Sequence, residues 1–263
     1  MVEGFRAGLV NKSQAHVFGF INVAFPGMSR HPAANEFDDA SFVAEVNREL
    51  AKRDSEDRKI LLFVHGFNNT TSDAVLRLSQ FVEDTGYKGV PVLFTWASAA
   101  KAPRYVYDLN SALVARSKVD DLSAVLGKTN AKEVNIFAHS MGAFLTMEGL
   151  ADAVQEGRLG PSNRISTIML ASPDIDIDLF KTQLAVLPES IVKKIYVLAS
   201  ADDAALRFSR RIAGGVPRVG AANTVELEKL GITVIDLSKV EDSSSGSHSK
   251  FAGSPEVDRK SVV

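Results

Sequence analysis

Ser140 stands in Ala138-His139-Ser140-Met141-Gly142, between the apolar run Val134–Ala138 and a helical pattern opening near Ala143. Small residues two positions either side of a serine suit a sharp strand-to-helix turn, where larger side chains collide. Such a turn lifts the hydroxyl off the sheet edge as a nucleophile. It also points the Met141 N–H and the helix N-terminus at the spot where an oxyanion would form. Ala138 occupies the position where this turn normally carries glycine. A chance Ser-x-Gly turn is the plain alternative, and the flanking strand and helix favour the elbow. A second donor comes from Val64-His65-Gly66-Phe67-Asn68, directly after the run Ile60–Val64. A glycine turn there presents the Phe67 N–H to the same oxyanion. His65 and His139 read as neutral histidines that shape their turns.

Ser140 needs a base, and the chain offers His16, His31, His65, His139 and His248. With this turn in an α/β sheet the partners follow in the order serine, acid, histidine, and only His248 lies after Ser140. Its plain reading is an incidental histidine in a polar tail. The acid must sit on a loop after a strand and before His248. Asp202 and Asp203 follow the run Ile195–Ala199, while Asp174, Asp176 and Asp178 follow Ile165–Ala171. Asp203, three residues past Ser200, has the spacing that suits an orienting acid. Asp202, Asp174 and Asp176 stay open as alternatives, and helix capping is the plain reading of Asp202 or Asp203. The Asp174/Asp176/Asp178 cluster has calcium-like spacing but lacks the glycine and distal glutamate of an EF-hand loop, so no metal is expected.

These residues need rigid elements to hold them. Six β-rich runs recur along the chain: Ile60–Val64, Val90–Trp96, Val134–Ala138, Ile165–Ala171, Ile195–Ala199 and Ile232–Asp236. Most are apolar at successive positions, as strands covered on both faces must be. Helical patterns lie between them, at 41–52, 71–85, 108–126, 143–154 and 203–212. Alternating strands and helices predict an α/β fold with a mostly parallel, doubly wound sheet and helices on both faces. Ala15–Phe25 reads as one or two leading strands. Segments 97–107 and 174–190 read as short covers over the crevice, with a small cap or none. Tyr105, Tyr107, Phe144 and Leu187 are candidates for an acyl pocket, or else ordinary core. No domain boundary is visible, so 1–263 reads as one domain with peripheral tails at 1–14 and 254–263.

Composition narrows the chemistry. Thirty basic residues against 32 acidic ones give a formal charge of −2, without the basic surplus that gripping nucleic acid requires. The absence of cysteine excludes disulfides, thiolate zinc sites, iron–sulfur clusters and a cysteine nucleophile. An apolar share of 45% and a mean hydropathy of +0.02 suit a chain that buries a sizeable core. No apolar run reaches the roughly 18 residues of a membrane span. Residues 1–14 show no apolar leader segment, so a cytoplasmic location is expected.

From about Val17 to Phe251 the chain resembles the α/β-hydrolase superfamily, and more narrowly the bacterial group DUF900. The matching stretches are FVHGFNNT (63–70), FTWAS (94–98), AHSMG (138–142), LASPDIDIDLF (170–180), SADDAALRFSRRIAGG (200–215) and HSKF (248–251). FTWAS departs from the group in carrying Ala97 where proline is usual, and the amino-terminal strands are shortened. The resemblance implies a Ser-Asp-His hydrolase with Ser140, Asp203 and His248 in those roles. The reading is an esterase acting on a small-molecule ester of short to medium acyl chain; the alternatives are the same triad on amide, thioester, lactone or lysophospholipid bonds, or a non-catalytic binding protein on this fold. The esterase's oxyanion hole is formed by the Phe67 and Met141 N–H groups, and no cofactor is required. Dehalogenase or epoxide-hydrolase chemistry would need aspartate at position 140.

Overall fold

The computed structural model describes residues 16–18, 38–160, 163–240 and 248, and the account below concerns these. Its strands are β1 (His16–Phe18), β2 (Lys59–Val64), β3 (Val90–Thr95), β4 (Glu133–His139), β5 (Ile165–Ala171), β6 (Ile195–Ala199) and β7 (Thr233–Asp236). Its helices are α1 (Asp39–Ala51), α2 (Thr71–Thr85), α3 (Tyr105–Gly127), α4 (Met141–Gln155), α5 (Ile177–Val186), α6 (Glu189–Val192), α7 (Ala204–Ile212) and α8 (Thr224–Glu228). The sheet order is β1-β3-β2-β4-β5-β6-β7. β1 runs antiparallel to β3 at one edge, and the remaining six strands are parallel.

Alternation along β2 shows why the sheet needs helices on both faces. Ile60, Leu62 and Val64 join a core with Phe42 and Val46 of α1, Leu122 of α3, Leu145 of α4 and Phe180 of α5. Leu61 and Phe63 face the other way, against Ala74, Leu78 and Phe81 of α2. Both sets are removed from water, so a polar substitution on either face of β2 is costly. Local chemistry fixes the helix ends. Thr70 and Asp73 form a reciprocal capping box at the start of α2, and Gly86, at φ 63°, closes its end in the left-handed conformation. Asp38 caps α1 by accepting from Ser41 N at 2.8 Å.

The α/β architecture expected from the strand-helix alternation is the one observed. Two details differ. Helix α3 begins at Tyr105, earlier than the apolar pattern indicates, because the turn Ala102–Arg104 leads directly into it. The stretch 174–190 is largely helical, forming α5 and the start of α6, where the sequence reading saw a short cover. Of the leading strands only His16–Phe18 lies within the described residues, paired at the sheet edge; 19–25 falls outside them, as do the tails 1–14 and 254–263. No described helix is long and apolar enough to cross a membrane.

Candidate active site

Parallel strands end together, so β2, β4, β5 and β6 deliver their following loops to one edge of the sheet. Ser140 is the single residue between β4 and α4 and has φ 55° and ψ −121°. That backbone region is strained for a non-glycine residue and is held only where the surroundings enforce it. Three backbone bonds enforce it here. Ser140 N donates to Ala171 O at 2.9 Å, while Ser140 O accepts from Ala143 N at 3.0 Å and from Asp174 N at 3.2 Å.

The small residues of the elbow have concrete reasons. A Cβ at Gly142 would lie 2.4 Å from His65 O and 2.6 Å from Val64 O, both backbone atoms of the neighbouring strand end. A Cβ at Gly66 would lie 2.9 Å from Ser140 Cβ and 3.0 Å from His139 Nδ1. The two turns therefore interlock, which brings the turn carrying Phe67 against Ser140, beside Met141 at the start of α4. The N–H groups of a first helical turn have no intrahelical acceptor, so Met141 N–H is available to a ligand. The same crowding leaves Ser140 only 3% exposed, more recessed than an elbow standing clear of the sheet suggests.

His65 is locked in place. Its Nδ1–H donates to Gly66 O at 2.9 Å, its Nε2 accepts from Trp96 N at 3.2 Å, and its ring stacks on the Trp96 indole at 5.2 Å. Burial lowers its pKa to about 4, so the imidazole is neutral near pH 7 and both nitrogens are engaged. The turn carrying Phe67 is held further by Asn69 Nδ2, which donates to Gly66 O and Phe67 O. Buried Asp108 accepts from Ser98 Oγ at 2.7 Å, from Ala99 N at 2.8 Å and from the Asn68 backbone. Burial raises the Asp108 carboxyl, and these three donors oppose the rise.

His248 and Asp203 meet although 45 residues separate them. His248 Nδ1 donates to Asp203 Oδ2 at 2.8 Å, and Asp203 Oδ1 accepts from Leu206 N at 3.0 Å as the N-cap of α7. One carboxylate therefore makes both the helix-cap bond and a bond to His248, which the sequence reading set against each other. Asp203 is fully buried, while the His248 side chain is 25% exposed. His139, itself 3% exposed, reaches the same loop: its Nε2 lies 3.1 Å from His248 O, and the two rings are 4.8 Å apart. Burial, with the nearby His248 ring adding to it, holds the His139 pKa well below its ordinary value, leaving Nε2–H to donate. That contact has no signature in the sequence, because it joins residues far apart in the chain.

The other acids are engaged elsewhere. Asp202 bonds Ser200 Oγ, and Asp176 caps α5 through Asp178 N and Leu179 N. Buried Asp174 accepts from Tyr105 Oη at 2.9 Å and Ser209 Oγ at 2.8 Å, and lies 3.4 Å from Arg218 Nε. Burial raises its carboxyl, and the Arg218 charge opposes that. Asp178 pairs with Lys181 at 3.3 Å, so the three aspartates do not converge, and no group of metal-ligating side chains occurs among the described residues. Tyr105, Phe144 and Leu187 belong to the main core, so they do not form an open acyl pocket; Tyr107 is half-buried. His16 lies in β1 opposite Thr95, and His31 is outside the described residues.

A parallel doubly wound sheet with a strained serine between strand and helix defines the α/β hydrolases. Residues 38–263 match the family described as alpha/beta hydrolase of unknown function, DUF900, and the chain belongs to it. Among curated protein sequences none matches the chain significantly. Solved structures give low-identity similarities. An esterase of Rhizomucor miehei is 13% identical, with a TM-score of 0.41 over 79% of this chain and 73% of its own. A predicted CIB-like hydrolase of Thermoplasma acidophilum is 15% identical, with a TM-score of 0.41 over 80% and 87%. A Pyrobaculum calidifontis esterase is 13% identical, with a TM-score of 0.41 over 90% and 92%.

Proposed function

We propose that this hydrolase is a serine esterase that cleaves carboxylic esters of small molecules through an acyl-enzyme. The observation that carries the reading is the 2.8 Å bond from His248 Nδ1 to the buried Asp203 carboxylate. A carboxylate there holds the proton on Nδ1 and leaves the Nε2 lone pair to act as base. Ser140 Oγ attacks the ester carbonyl carbon as its proton passes to Nε2, and Asp203 stabilises the resulting imidazolium. The carbonyl oxygen becomes an oxyanion facing the Met141 and Phe67 N–H groups. The tetrahedral intermediate collapses, the C–O bond breaks, and His248 returns the proton to the departing alcohol. Water, deprotonated by His248, then attacks the acyl-serine; the acyl–Oγ bond breaks, His248 returns the proton to Ser140 Oγ, and the acid leaves.

The strained φ of Ser140 and the interlocked Gly66 and Gly142 support the nucleophile's placement, since this backbone cost persists where geometry is being enforced. A serine-directed fluorophosphonate tests the reading together with a panel of acyl esters graded by chain length, run beside amide, thioester, lactone and lysophospholipid substrates. Stoichiometric labelling that disappears in Ser140→Ala, with ester turnover lost in the folded variant, is the expected result. Turnover within about tenfold of wild type in that variant removes Ser140 from the mechanism. Faster turnover of one of the other bond types removes the ester assignment.

A further inference from the structure

Helix α7 leaves the sheet at the candidate site and the chain then returns to it. Asp203 caps its start, and further along Gly220 O accepts from Ser200 N at 2.7 Å. Val219 N donates to Ile175 O at 2.9 Å and Gly220 N to Pro173 O at 3.0 Å. Residues 201–219 thus form an excursion whose base is closed at the carboxyl ends of β5 and β6, beside the loop that holds Ser140 O. The closure is tight: a Cβ at Gly220 would lie 2.6 Å from Leu206 Cδ1 and 2.6 Å from the Ser172 backbone.

Of the nine residues of α7 only Leu206 and Ser209 are buried. At roughly 100° per residue, Ala204, Phe208 and Ile212 form one stripe along the helix, with Ala204 opposite those two and Ile212 turned towards Ser209, and Arg207 and Arg211 line its other side. Phe208 is 53% exposed and Ile212 is 46% exposed. Arg207, Arg210 and Arg211 are also exposed, and no acidic residue occurs between Ala204 and Arg218. Arg210 Nε donates to Gly215 O at 2.7 Å, which leaves Arg207 and Arg211 as the outward charges beside the apolar stripe. Positive charge is concentrated here on a chain whose formal charge is −2. An apolar stripe bordered by arginines, on a helix with seven of its nine residues exposed, is complementary to the boundary between anionic headgroups and acyl chains.

We propose that α7 docks on an anionic phospholipid surface and brings esters dissolved in that surface to Ser140. The docking stands by itself; the delivery of substrate rests on the serine-esterase reading.

Cosedimentation of the full chain with vesicles of phosphatidylcholine, alone or mixed with phosphatidylglycerol, tests it. The chain is expected to sediment with the mixed vesicles, less so as salt is raised, and weakly with phosphatidylcholine alone. Arg207→Gln/Arg211→Gln should lower the partition coefficient about 25-fold, at roughly fivefold per arginine. Phe208→Asp/Ile212→Asp should abolish sedimentation while circular dichroism and hydrolysis of a soluble monomeric ester stay at wild-type values. Ser140→Ala should bind as wild type does and hydrolyse nothing; if it binds yet still hydrolyses, the esterase reading fails and the docking stands. Failure of wild type to bind mixed vesicles, equal binding to neutral ones, or undiminished binding by the variants overturns the proposal. So does a dimer, seen by light scattering without vesicle binding, that Phe208→Asp/Ile212→Asp converts to monomer.

Discussion

Asp203→Asn separates the cap bond of one carboxylate from the orienting role proposed for it. Oδ1 caps α7 through Leu206 N at 3.0 Å and Oδ2 accepts from His248 Nδ1 at 2.8 Å. Asparagine keeps an oxygen for the cap but turns an amide donor toward the imidazole. The ring must then carry its proton on Nε2, and the base is lost. A wrong tautomer of this kind lowers kcat on the order of 10⁴-fold, about 5 kcal/mol of barrier. The melting temperature should change little. Asp203→Ala loses the base's partner and the cap together, so it adds a stability loss of about 1 kcal/mol, seen as a fall of about 2–4 °C in Tm. The assay is kcat on a soluble ester for both variants and for His248→Ala, with thermal melts by circular dichroism. Asp174→Asn is the control, because it should act on stability instead: it weakens the partner of buried Arg218, at a cost of about 3–5 kcal/mol when such a pair is broken. Asp203→Asn within about tenfold of wild type at an unchanged Tm refutes the assignment. So does a stable Asp174→Asn that cannot turn over ester.

Gly142→Ala drives a Cβ to 2.4 Å from His65 O and 2.6 Å from Val64 O, where only backbone movement gives relief. Urea unfolding should register a loss of about 1–3 kcal/mol or more, and a variant as stable as wild type counts against the interlocked turns. Folding should also weaken in mild acid. Burial lowers the His65 pKa from 6.5 to about 4, so the unfolded chain takes up its proton first as pH falls. The stability is complete above about pH 6.5 and disappears towards pH 4, with about 2 kcal/mol lost by pH 5 from His65 alone. His139 adds to this in the same direction, and a flat urea-unfolding free energy between pH 7 and 5 contradicts the placement of both rings. EDTA should leave ester turnover unchanged, since the aspartates 174, 176 and 178 hold protein partners in place of a shared ion. Activity lost to EDTA and restored by one divalent cation overturns that expectation.

The parallel strands were legible in the sequence because a strand covered on both faces must be apolar at successive positions, as Ile60–Val64 is. The elbow was legible because small residues around Ser140 have one local use, before a helix and after a strand. Helix α2 was legible to the residue, since Thr70 and Asp73 are local start signals and Gly86 a local stop signal. Local signals failed where contacts are long-range. Five aspartates follow the two strands, and only the fold brings Asp203 to His248 while turning Asp174 towards Tyr105, Ser209 and Arg218. Capping and orienting looked like alternatives for Asp203, because a sequence does not say where each carboxylate oxygen points. The contact of His139 with His248, the burial of Tyr105 and the outward face of α7 share that origin. Chain patterns report what each segment does to itself, whereas these depend on which surfaces meet when the sheet closes, and that is decided by the packing of the whole.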